Sequence, residues 1–91
     1  MDAKTKKMIA RNQRLLGKEI AQLKRCAQDN AAKGLYRMAG TAYTDVADLM
    51  AVADAVRDED FDCARRLLSD LETEPREKVP AELYRWLVQK N

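Results

Sequence analysis

Histidine is absent from this chain and serine occurs once, at Ser69. Those two absences remove the commonest general base and the usual hydroxyl nucleophile with its partner. Three scattered glycines, Gly17, Gly34 and Gly40, build no phosphate-cradling loop. Two cysteines without a histidine fall short of a structural zinc site. The acids Asp58, Glu59, Asp60 and Asp62 lack the mid-loop glycine and distal glutamate of an EF-hand. With no acid, base or nucleophile set assembled, the chain reads as non-enzymatic and without a cofactor. Long apolar runs are missing too. The longest, Leu49 to Ala53, is far short of a membrane span. The N-terminal residues hold no apolar core of a secretory leader, so the expectation is a cytoplasmic protein with reduced thiols. Cys26 and Cys63 both fall at helical positions and read as small buried side chains, with a bridge between them left open.

Charge is plentiful, and its placement says more than its sum. The net charge is +2 over 91 residues, enough chain for one domain with one modest core. Residues 1–40 carry ten Lys and Arg against Asp2, Glu19 and Asp29, whereas residues 41–74 carry ten acids against Arg57, Arg65 and Arg66. The N-terminal part is therefore strongly basic and the middle strongly acidic.

Hydrophobic spacing predicts helices throughout. Ile9, Leu16, Ile20, Leu23 and Ala27 step by sevens, fours and threes, a seam broken by Gln13, on one helix from residue 3 to about 30. Gly34 suits a left-handed C-cap. Leu35, Met38, Ala42, Val46, Leu49, Ala53 and Val56 then mark the inner face of a second long helix. Gly40, Thr44, Ala47 and Ala51 line its other side, so this helix reads as open to packing on both faces. An Asp N-cap opens a third helix with Phe61, Ala64, Leu68 and Leu71 inward, ending near Glu72. The connector containing Pro75 reads as non-helical. Pro80 takes the first position of a short fourth helix, 80–89, carrying Leu83, Tyr84, Trp86 and Leu87. The expected fold is all-α, a small irregular bundle of about four helices, two long and two short. Val46, Leu49, Phe61 and Leu68 are expected to be fully buried.

Two charged faces are the candidate functional surfaces. Lys4, Lys7, Arg11, Arg14, Lys18 and Arg25 recur at helical steps on the first helix, opposite its apolar seam. This stripe meets solvent, the acid of a partner, or a phosphate backbone. Asp45, Asp48, Asp58, Glu59, Asp60 and Asp62 form the acidic counterpart around the second helix and the turn after it. Spaced carboxylates of this kind can imitate a phosphate backbone, or balance the basic stripe within one molecule or across a homodimer. The acids at 58–62 also suit capping of the third helix. The first helix's heptad seam offers a further route to a homodimer.

The C-terminal run "REKVPAELYRWLV" resembles the signature of the Hha/YmoA family, small helical modulators of nucleoid proteins. Lys78, Val79 and Pro80 match its basic, apolar, Pro step, and Leu83, Tyr84, Arg85, Trp86 and Leu87 match the apolar and aromatic run two residues on. The likeness covers the last quarter of the chain. It implies a protein that binds a transcriptional silencer rather than DNA itself. Small helical proteins of both charge signs are also frequent products of phages and other mobile elements, by association alone. The reading is an accessory regulator or inhibitor that docks on a larger, nucleic-acid-handling complex through charge. The alternative is a nucleic-acid-binding or nucleoid-modulating protein using the basic face.

Overall fold

The computed structural model describes residues 1–89. Its first element, α1, runs Ala3–Ala32. Asp2 starts it by accepting a hydrogen bond from the Thr5 amide at 2.7 Å, which pairs one of the unsatisfied amides of the first turn. Its end is a Schellman turn. The Gly34 amide donates to Ala31 at 3.0 Å and the Leu35 amide to Asn30 at 2.8 Å, with Gly34 at φ +79°.

The second helix, α2, covers Tyr36–Arg57 and returns antiparallel along α1. It closes with the same hydrogen-bond pattern, Glu59 to Val56 and Asp60 to Ala55, but here a glutamate holds the left-handed position at φ +58°. Asp60 serves two helices at once. Its amide completes the end of α2, while its carboxylate accepts from the Cys63 amide at 3.1 Å and starts α3, Phe61–Asp70.

Two short helices finish the chain, α4 at Thr73–Glu77 and α5 at Ala81–Gln89. The connector expected to be non-helical therefore contains one helical turn. Pro75 is tolerated as the third residue of α4, where its missing amide is among those with no intrahelical acceptor anyway. Pro80 stands one residue before α5, and its carbonyl accepts the Tyr84 amide at 2.9 Å. The bundle is all-α among the described residues, two long helices and two short ones plus this single turn.

The core gathers where α3 and α5 lie across the hairpin of α1 and α2. Leu16, Leu49, Val52, Val56, Leu68, Leu83 and Leu87 are fully buried there. Burying each of the leucines stabilises by roughly 1.5–3 kcal/mol. Val46 is buried as expected, but Phe61 is only half-buried, because it closes the edge of the core by standing edge-on to Trp86 at 4.9 Å. Half-buried Ile9, Ile20 and Leu23 pack against this core and Ala27 is buried, so the seam of α1 packs largely within the chain. Gln13, which interrupts the seam, donates to the Ala53 carbonyl of α2 at 2.8 Å.

The hairpin outruns the layer that covers it. The molecule is 47 Å long and 22 by 19 Å across. At the far end of the hairpin Leu35 and Met38, expected on the inner face of α2, are exposed. Val52 and Ala55, outside that expected face, are buried instead, because α3 approaches α2 on their side. Gly40, Thr44 and Ala47 are exposed and Ala51 is half-buried, so no helix of this chain packs on the small-residue side of α2. Cys26, read as a buried thiol, is exposed on α1, Cys63 is half-buried, and both are free. No helix among the described residues is long and apolar enough to cross a membrane.

Candidate partner-binding surfaces

All six residues of the basic stripe are exposed: Lys4, Lys7, Arg11, Arg14, Lys18 and Arg25. They run along one side of α1 over 21 residues, about 32 Å of helix. The reason is rotational. Turning Leu16 and Ala27 fully into the core fixes the opposite side of the helix outward. Leu15, 46% exposed, and half-buried Met8 border the stripe on the edge nearer α5.

Arg11 differs from the other five. Its guanidinium donates to Glu82 of α5 at 2.8 Å. The same carboxylate oxygen accepts from the Asn12 side chain at 2.8 Å, and Asn12 also donates to the Met8 carbonyl at 2.8 Å. Asn12 is the one polar residue buried in the core-facing surface among the described residues. The Asn12 hydrogen bond, followed by that from Arg11, holds the Glu82 carboxyl below its usual range. Arg11 is thus part of a joint between α1 and α5 as well as part of the stripe. Lys4, Lys7, Arg14, Lys18 and Arg25 form no ion pair with a described residue.

The acidic residues divide into two patches with different work. Asp58, Glu59, Asp60 and Asp62 sit at the turn between α2 and α3, where the chain uses most of them. Asp60 caps α3, Asp62 pairs with Arg65, Asp58 lies 3.4 Å from Arg57, and Glu59 supplies the left-handed residue. Asp45 and Asp48 lie ten or more residues back along α2, about 15 Å away. There the fold adds Glu72 and Glu74. Burial pushes the Asp45 carboxyl up, and the negative charges of Asp48, Glu74 and Glu72 push it further. A groove lined by Leu23, Asp45, Glu74, Pro75, Glu77 and Lys78 runs beside this patch.

Sequence reasoning found the stripe and the acids but missed Asn12 and Glu82. Asn12 stands one helical step before Leu16 on the core side, a polar residue in an apolar arc, which is a legible signal that a partner awaits it. Which partner is not legible, since Glu82 is 70 residues away. The residues of the C-terminal signature serve the core here: Val79, Leu83 and Leu87 are buried, Tyr84 and Trp86 are half-buried, and Arg85 is exposed. No group of three or more potential metal-ligating side chains gathers among the described residues. No known family model, curated protein or solved structure matches the chain.

Proposed function

We propose that this protein is a non-enzymatic binding module, an accessory regulator or inhibitor that docks on a larger, nucleic-acid-handling complex by charge complementarity. The observation that carries the reading is the row of five exposed cations on α1 that form no ion pair among the described residues, on the side opposite the core. Isolated surface charges contribute little to folding, so stability does not account for such a row. Its length suits an extended acidic surface, and Leu15 and Met8 at its edge supply apolar contact that pure phosphate binding does not use. The non-enzymatic reading rests on the missing histidine and the single serine.

The second reading, direct binding of nucleic acid, is favoured by the same row, since five cations over about 32 Å can follow a phosphate backbone. Two aromatics that could stack on bases, Tyr36 and Tyr43, stand on α2 rather than beside the stripe. Titration of random duplex DNA at several salt concentrations separates the two. A protein-directed module binds DNA weakly or not at all at physiological salt. A nucleic-acid binder holds it, with log affinity falling by about 0.9 per phosphate contact for each tenfold rise in salt. Replacing Lys7, Arg14, Lys18 and Arg25 by Gln flattens that slope only in the second case.

A further inference from the structure

The outer side of α2 is a long exposed surface with little charge. Tyr36, Gly40, Tyr43, Ala47, Met50 and Asp54 follow one another at steps of four and three, which places them on one stripe. All six are exposed, with Tyr36 at 74%, Tyr43 at 43% and Met50 at 47%. Asp54 is their only charge, in a chain that is 35% charged. Gly40 has no use within the monomer. It lies in the second turn of α2 without a left-handed backbone, and a Cβ there would meet nothing within 4 Å. Alanine would fit and strengthen the helix.

We propose that this face of α2 binds the same face of a second copy of this chain, antiparallel, about a two-fold axis level with Asp45. That register sets Tyr36 against the partner's Asp54, Gly40 against the partner's Met50, and Tyr43 against the partner's Ala47, each contact occurring twice. Large meets small at both central levels, so Gly40 and Ala47 leave the room that Met50 and Tyr43 fill. At the outer level the tyrosine hydroxyl meets a carboxylate. Shifting the axis to Tyr43 would instead stack tyrosine on tyrosine. Charge selects the same direction. The N-terminal end of α2 carries Arg37, with Lys33 just before it, and the C-terminal end carries Asp54, Asp58, Glu59 and Asp60 against the single cation Arg57, which lies 3.1 Å from Asp54 and 3.4 Å from Asp58. Antiparallel pairing brings the partner's Asp54 within one residue rise of Arg37, whereas parallel pairing would stack like on like. The overlap from Tyr36 to Asp54 is about 28 Å of helix, which makes a small interface.

This inference does not rest on the basic stripe, and sedimentation can test it separately. Wild-type protein followed from low to several hundred micromolar should show a monomer–dimer equilibrium. Ala47→Glu should weaken it by at least roughly tenfold, as expected at the centre of an interface. Arg37→Asp and Asp54→Arg should each weaken the dimer, and together restore it. The protein with Lys7, Arg14, Lys18 and Arg25 changed to Gln should dimerise like wild type. A wild-type protein that stays monomeric overturns the proposal. So does a dimer that survives Ala47→Glu, or a paired charge swap that recovers nothing. Loss of the dimer in the Lys7, Arg14, Lys18 and Arg25 variant would overturn it as well, placing the contact between the basic and acidic surfaces.

Discussion

Replacing Leu16 by Ala and, separately, Leu15 by Ala tests how α1 is turned about its own axis. The two leucines are neighbours of identical chemistry, yet Leu16 is fully buried and Leu15 is 46% exposed. Truncating a fully buried leucine loses the transfer free energy of the removed atoms and leaves a cavity, about 2–5 kcal/mol in all. A chain of this length has a total stability of roughly 5–13 kcal/mol, so Leu16→Ala removes a large part of it. At about 4–8 °C per kcal/mol, a loss of about 3 kcal/mol lowers Tm by about 12–24 °C. Leu15→Ala loses partial contacts only and gains helix propensity, so its cost stays below about 1 kcal/mol. Urea unfolding followed by circular dichroism measures both, with an unchanged m-value confirming that the native and denatured ensembles are comparable. Equal costs for the two variants would mean that α1 is rotated from the orientation described, and the outward direction of the basic stripe would fall with it.

Two other positions give sharp expectations. Glu59→Gly should stabilise the protein by about 1 kcal/mol, because the left-handed backbone at φ +58° penalises a side chain and suits glycine; a loss of stability in urea would show that the Glu59 side chain makes a contact worth more than the strain. Asp45→Asn should raise Tm at pH 7, since folding pushes this carboxyl above its ordinary value and so favours its protonated form. For the same reason wild-type stability should fall as pH rises from the ordinary carboxylate range through the raised Asp45 value, and the Asn variant should lose that part of the slope. Glu82 works in the opposite sense: its lowered carboxyl adds stability at neutral pH that disappears as the solution is acidified below the ordinary range.

The long helices were legible because steps of three and four hold over many turns in α1 and α2, and because Gly34 marks where the first of them stops. Faces were legible where one neighbour buries one arc. They were less so on α2, where α1 takes Ala42 and Val46 while α3 takes Val52 and Ala55, widening the buried arc beyond a single stripe. Leu35 and Met38 satisfy the inward period yet stay exposed, since the layer above ends before reaching them, and no local pattern reports the length of another element. The turn at α4 was hidden by Pro75, whose usual effect on a helix depends on a position that only the fold defines. In the candidate site, the stripe is a property of one helix and could be read from its spacing. The joint of Asn12, Arg11 and Glu82 joins residues about 70 apart, and the patch formed by Asp45 with Glu72 and Glu74 likewise needs the chain to return. Long-range pairing of this kind leaves no periodic trace.

The central claim is that the free cations of α1 are a binding surface and carry no structural duty. The most direct test compares wild-type protein with a variant in which Lys7, Arg14, Lys18 and Arg25 are all Gln, leaving Arg11 to its contact with Glu82. Both are used as baits in extracts of the native host, with bound proteins and nucleic acids quantified at low and moderate salt and thermal melts recorded alongside. The account predicts superimposable melts, a protein partner retained by wild type, and its loss from the variant. A variant that keeps the partner, or one that melts many degrees early, would contradict it.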